Sequence, residues 1–160
     1  MNNNINNNKN TGDNYQQQII NYLNQFLSNI VALTIKMYNY HWNIVGPHFF
    51  TLHSKFEEYY KKSTDMFDII AERIKQLDGF PITTISGFSS NIGLREAESK
   101  NYTANEVIRS TIGDFKYIHR MGSDIASYAA SIGDGVTSGL IGNFLQYLEK
   151  QLWMLEASIK

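Results

Sequence analysis

The sequence predicts an all-α protein, a bundle of four long helices with one long crossover between the second and the third. Three observations predict it. Apolar residues recur at three- and four-residue steps through four long stretches, the mark of amphipathic helices. No stretch alternates apolar and polar residues with the two-residue period of a strand. The only two prolines, Pro47 and Pro81, both stand at breaks between helical stretches.

The first helix runs from residue 16 to about 45, on Ile19, Ile20, Leu23, Phe26, Leu27, Ile30, Leu33, Ile35 and Met37. Gly46-Pro47 ends it, because proline cannot continue a helix and glycine takes up the turn. The second helix covers residues 49 to 77 and closes on Asp78-Gly79, with Pro81 just beyond, a standard stop signal. Residues 80–103 are rich in Gly, Ser, Thr and Asn and hold one short helical piece near residues 85 to 89. Thr103 with Glu106 three residues on makes a capping box that opens the third helix, which reaches about residue 132. Gly133-Asp134-Gly135 breaks the chain, and a fourth helix runs from about 136 to 158. A long connection between the second and third of four helices fits a ferritin-like four-helix bundle with a short extra helix in that connection. A simple up-and-down bundle has no need of it.

The chain of 160 residues suits one domain with a real core. Fourteen basic against fifteen acidic residues encode no global pull toward nucleic acid or membrane. The absence of cysteine excludes disulfides, thiolate metal ligation and thiol catalysis, and suits a reducing compartment. No apolar run approaches the length of a membrane span, and no basic-then-apolar leader opens the chain, so a soluble cytoplasmic protein is expected. Eight of residues 1–14 are asparagine. Such a segment buries too little apolar surface to offset its ordering entropy, which predicts a disordered tail ahead of a folded domain over 15–160. Lys9 is the tail's only basic side chain, too little for phosphate binding.

Five residues in one apolar and aromatic stretch carry the chemistry: His41, His53, Glu57, Asp68 and Glu72. On a single helix, His53, Glu57, Asp68 and Glu72 fall within an arc of about 100° and share a face. Along the axis, Glu57 and Asp68 stand roughly 16 Å apart, too far to hold one ion. An antiparallel copy of the same helix across a two-fold axis would set the first pair of one chain against the second pair of the other, so the spacing predicts a metal site built between subunits. The short turn makes helices one and two antiparallel and lets His41 and His53 face one spot. Two imidazoles and three carboxylates suit ferrous iron, with zinc and manganese as competitors, and do not suit a structural zinc tetrahedron. A lone histidine on an apolar helix is usually a packing residue, and Asp68 with Glu72 alone would be solvated neighbours compensated by Arg73, Lys61 or Lys62. The combination carries the argument. His48 and His119 lack an acidic partner on their own faces and stay outside the site, and Trp42 reads as packing.

The stretch His41-Trp42-Asn43-Ile44-Val45-Gly46-Pro47-His48-Phe49-Phe50-Thr51-Leu52-His53, followed by Phe56-Glu57, Tyr60, Asp68 and Ala71-Glu72-Arg73-Ile74, resembles the signature of the Dps family, the mini-ferritins. The resemblance runs from about residue 16 to the C-terminus, including Leu152-Trp153-Met154-Leu155. It implies a hollow dodecamer of tetrahedral symmetry that oxidises ferrous iron, with hydrogen peroxide preferred to dioxygen, and stores the ferric mineral inside. By motif match, His41, His53 and Glu57 of one subunit and Asp68 and Glu72 of its partner form the ferroxidase centre. Three departures stand out. Glu57 replaces the usual aspartate. The segment 133–139, which lines the iron-uptake pore in relatives, keeps only Asp134 as an acid. The asparagine-rich tail replaces a lysine-rich one, so DNA binding through the tail is not expected. The sequence therefore predicts a ferroxidase and iron-storage protein that protects against oxidative stress. The competing expectation is a nucleoid-associated DNA-binding protein whose metal site is vestigial or structural.

Overall fold

The computed structural model describes residues 3–160, with side chains from residue 14 onward. Five helices follow one another: α1 (Asn3–Asn43), α2 (Phe49–Gln76), α3 (Ile85–Ser89), α4 (Ala104–Ser131) and α5 (Gly135–Ala157). Four are long and α3 is the short extra helix of the crossover, as the periodicity predicts. α1 starts earlier than the predicted residue 16. The expectation of a disordered tail over 1–14 falls on this segment, where residues 1–2 and the side chains of 3–13 lie outside the described residues. Among the described residues no helix is long and apolar enough to cross a membrane.

Sequence signals account for most helix ends. Gly46, at φ 106°, supplies the left-handed turn between α1 and α2, and its carbonyl accepts from Phe49 N at 3.0 Å. α2 ends in a Schellman motif: Gly79 N donates to Ile74 O and Asp78 N to Lys75 O. The left-handed residue there is Asp78, at φ 58°, rather than the glycine beside it. Gly79 is required for another reason, since a Cβ at that position would come within 2.9 Å of the Ile74 side chain and 3.0 Å of Ile20. Thr103 and Glu106 form the predicted capping box at the start of α4.

The core lies where the faces of the long helices meet. Leu23, Phe26, Leu27, Ile30 and Leu33 of α1 are fully buried, together with Ile70 and Ile74 of α2, Ile118 of α4 and Ile141 of α5. Ile35 departs from the helical pattern, being 64% exposed although it is counted by sequence among the apolar positions of the first helix.

Polar side chains of α1 hold the crossover against the bundle. Asn24 accepts from Ile82 N and donates to Phe80 O. Asn29 accepts from Gly93 N and Leu94 N and donates to Asn91 O. Lys36 donates to Arg95 O at 2.8 Å and pairs with buried Asp114 of α4 at 2.8 Å. Asn39 donates to the carbonyls of Ala97 and Glu98. A single parallel bridge, Ile44 with Tyr102, then ties the end of α1 to the residue before the α4 cap.

Candidate metal centre

The α1–α2 turn brings His41, from the last turn of α1, against His53, from the second turn of α2. Their rings stack with centroids 3.7 Å apart and 22° between planes. His41 Nδ1 lies 2.7 Å from the main-chain oxygen of His53, and His53 Nδ1 lies 2.8 Å from that of His41. A carbonyl oxygen only accepts, so each Nδ1 carries a proton and donates it. In neutral imidazole the lone pair is then left on Nε2 of both rings, the form in which a second hydrogen bond prepares histidine to bind a metal. Phe49 stacks on His53 at 5.1 Å, and the edge of Tyr60 meets His41 at 5.3 Å, so aromatic rings limit how either imidazole can turn. Tyr60 in turn stacks on Tyr38 at 3.8 Å.

Glu57 stands one helical turn beyond His53. Its Oε1 accepts from the ammonium of Lys61. That hydrogen bond and the Lys61 charge hold the Glu57 carboxyl below the usual carboxylate range, with the two imidazoles adding to the effect. Glu57 is thus a charged acceptor one helical turn from His53, engaged by Lys61.

Asp68 and Glu72 lie further along α2, both exposed. None of the described cations stands within ion-pairing distance of either. The compensation that the sequence allows them is engaged elsewhere. Arg73 donates to Asp134 at 2.9 Å and to the Thr137 hydroxyl at 2.8 Å, Lys61 serves Glu57, and the Lys62 ammonium sits over the Tyr147 ring. The fold therefore brings His41 and His53 together, sets Glu57 one helical turn beyond His53 and in the hold of Lys61, and leaves Asp68 and Glu72 further along α2. Among the described residues of one chain, no three His, Asp or Glu side chains group closely enough to hold an ion.

The structure also places three further residues. His48 is exposed in the turn. His119 meets Glu149 at 2.9 Å, an acid supplied by α5 that inspection of α4 alone does not find. Asp134, the one acid left in the segment 133–139, is a helix cap. Its carboxylate accepts from the backbone N and the hydroxyl of Thr137 and pairs with Arg73. Burial opposes its charge, but those hydrogen bonds and the guanidinium together hold its carboxyl below the usual range.

The sequence reading missed the reciprocal Nδ1–carbonyl bonds, the Tyr60 edge on His41 and the hold of Lys61 on Glu57. The last two had a helical signal, since Tyr60 follows His53 by seven residues and Lys61 follows Glu57 by four. The first had none, because its acceptors are main-chain atoms.

Comparison with known proteins agrees with the fold. Residues 20–160 match the ferritin-like domain family. The DNA protection during starvation protein of Brevibacillus brevis is 35% identical over 148 residues, covering 91% of this chain and 97% of that protein. Antigen TpF1 of Treponema pallidum superposes with a TM-score of 0.90 at 35% identity, covering 92% of this chain and 94% of that one. The Dps protein of Vibrio cholerae O1, described as a member of a broad superfamily of ferritin-like diiron-carboxylate proteins, gives 0.88 at 32% identity, with 92% of each chain covered. With near-complete coverage in both directions, and with the paired histidines and carboxylates in their expected helices, the chain belongs to the Dps family of mini-ferritins.

Proposed function

We propose that this protein is a ferroxidase and iron store. In this reading it oxidises ferrous iron at a site shared by two subunits and keeps the ferric product inside a hollow dodecamer. His41, His53 and Glu57 come from one subunit, and Asp68 and Glu72 from a second copy. The observation that carries the reading is the preparation of His41 and His53. Both Nδ1 protons are committed to carbonyls, which leaves two Nε2 lone pairs free, with Glu57 one helical turn from His53 and, among the described residues, no group of three ligands within one chain. Two imidazoles and one carboxylate make half of a site for a first-row dication. The other half is supplied by the exposed, uncompensated acids of an antiparallel α2, with His53 opposite Glu72 and Glu57 opposite Asp68. The two-fold axis then passes between Lys62 and Ser63.

The residues act as ligands and as charge compensation. Three carboxylates offset the positive charge that grows as ferrous iron becomes ferric. Coordination positions not filled by protein are left for water and oxidant. Two ferrous ions give one electron each to hydrogen peroxide, its O–O bond breaks, and two hydroxide equivalents form. Dioxygen is the slower alternative oxidant. Zinc and manganese compete for the same ligands. Removing ferrous iron and peroxide together protects DNA without contact with it.

The double substitution His41→Ala with Asp68→Ala tests this reading. Peroxide-driven iron oxidation, followed as ferric absorbance, should fall to the rate of iron in buffer, while light scattering still gives the mass of the assembly. Oxidation at the wild-type rate in that double variant would sink the assignment.

A further inference from the structure

The proposed ligand stripe contains one charge of the opposite sign. Between the His53–Glu57 pair and the Asp68–Glu72 pair, α2 carries two cations, Lys61 and Lys62. Lys62 lies off the stripe, with its ammonium 5.7 Å from the centre of the Tyr147 ring. Lys61 lies on it: at 100° per residue it falls about 40° from Glu57, inside the arc that the four α2 ligands span. Its ammonium hydrogen-bonds Glu57 Oε1 and, among the described residues, pairs with no other carboxylate.

An exposed Glu–Lys pair one turn apart is ordinary helix chemistry and contributes little on a free surface. This pair differs in two respects. Its acid is one of the proposed metal ligands. It also lies on the face that the second subunit would cover, where water no longer screens the charges. Glutamate at position 57 matters here, because its extra methylene extends the reach toward a lysine four residues on.

We propose that Lys61 is a positioning residue that competes with ferrous iron for Glu57, so that this half of the site binds the ion more weakly than its ligands alone would. The inference rests on the shared-site reading above. An arriving ferrous ion must take the carboxylate from the ammonium or share it, and in either case a fixed positive charge opposes a dication. The ion pair keeps Glu57 in place when iron is scarce and raises the ferrous concentration at which the site fills.

The test is an anaerobic titration of the assembled protein with ferrous iron, repeated with cobalt(II), whose visible absorption reports ligand binding directly. Lys61→Gln should bind either ion about three- to tenfold more tightly than wild type, the range expected for loss of one ion pair that is partly shielded from water. Lys61→Arg keeps the charge and should stay near wild type. An affinity in Lys61→Gln that is unchanged or lower, with binding still abolished by His41→Ala, overturns the role of Lys61 and leaves the shared site standing. Tightening by Lys61→Arg equal to that of Lys61→Gln also overturns it, since charge would not be the cause. Wild-type binding that His41→Ala does not reduce overturns the shared site and this inference with it.

Discussion

Two carbonyl oxygens decide what His41 and His53 can do. By accepting from Nδ1 of the opposite ring they fix both tautomers and hold the rings in a stack 3.7 Å apart. Structure and ligation can be separated at His53. His53→Ala deletes one hydrogen bond and the stacked ring, and should lower stability to urea by about 1–2 kcal/mol. His53→Asn offers an amide donor near the position of Nδ1 but nothing at Nε2. It should recover part of that stability while ferrous-iron binding, measured anaerobically, stays at background. Iron binding retained by His53→Asn would remove Nε2 from the ligand set. The pairing of His41 with His53 was legible in the sequence because Gly46-Pro47 stands between them and forces adjacent helix ends together. The lock itself was not, since a main-chain acceptor leaves no trace in residue identity. Asp134 shows the opposite limit. Its place in the segment that lines the pore in relatives gave no sign of the cap it makes for Thr137 or of its ion pair with Arg73 of α2.

The elements are held in register by polar groups that a hydrophobic pattern does not reveal. Helix existence and most ends followed from apolar spacing, Gly-Pro breaks and the Thr103–Glu106 box. The hold of α1 on the crossover did not, because Asn24, Asn29, Lys36 and Asn39 look like ordinary polar interruptions of an amphipathic helix. Asn29 is fully buried and its Oδ1 accepts from two backbone N–H groups. Asn29→Ala leaves both without a partner and should cost about 2–4 kcal/mol in chemical denaturation, with faster amide exchange confined at first to residues 91–95. Lys36→Met leaves Asp114 buried without its counter-charge, which should cost about 3–5 kcal/mol at neutral pH. The pH dependence has a definite sign. Burial already raises the Asp114 carboxyl above its ordinary value of 3.8 despite Lys36, and losing the ammonium raises it further. A carboxyl raised in the folded state costs nothing below its unfolded value, and a growing amount as pH climbs from there toward the folded value. The gap between Lys36→Met and wild type should therefore be widest at neutral pH and close toward pH 4. At Asp134 the sign reverses. Its lowered carboxyl stabilises the fold above pH 3.8, and the contribution is lost as acid protonates it. Asp134→Asn should cost about 1 kcal/mol at pH 7 through the lost ion pair and charged hydrogen bonds, and progressively less as pH falls from 4 toward 2. A constant deficit across that range would show that the charge is not what matters there.

At the scale of the whole molecule, one chain leaves large apolar side chains uncovered. Trp42, Phe50, Phe80, Ile85 and Trp153 are each at least two-thirds exposed, and Ile35 presents its side chain to solvent from the middle of α1. Sequence periodicity cannot separate such residues from core residues, because a surface covered by another copy is as apolar as a core. Ile35 fits the helical pattern and yet lies outside the bundle, as the proposed assembly would require of a residue on a covered face. The proposed ligand residues follow the same logic, since exposed acids without counter-ions make sense on a face that another subunit would cover. Thr64 tests both points with one substitution. It is exposed on α2, where it caps nothing and its hydroxyl bonds only to Tyr60 O, so Thr64→Lys should change the stability of a single chain by at most about 0.5 kcal/mol. In the antiparallel pairing that sets Glu57 opposite Asp68, however, residue 64 faces Lys61 of the other copy, and the two-fold axis repeats that meeting of like charges. The expected outcome is a lighter particle by light scattering and loss of peroxide-driven iron oxidation in the same sample, with helicity unchanged by circular dichroism. A Thr64→Lys protein that dissociates and still oxidises iron at the wild-type rate would put the chemistry within one chain. One that keeps both mass and activity would put the two-fold axis elsewhere on α2. The proposed pairing requires that assembly and catalysis fail together, because the charge that separates the helices also withdraws Asp68 and Glu72 from the histidines they would complete.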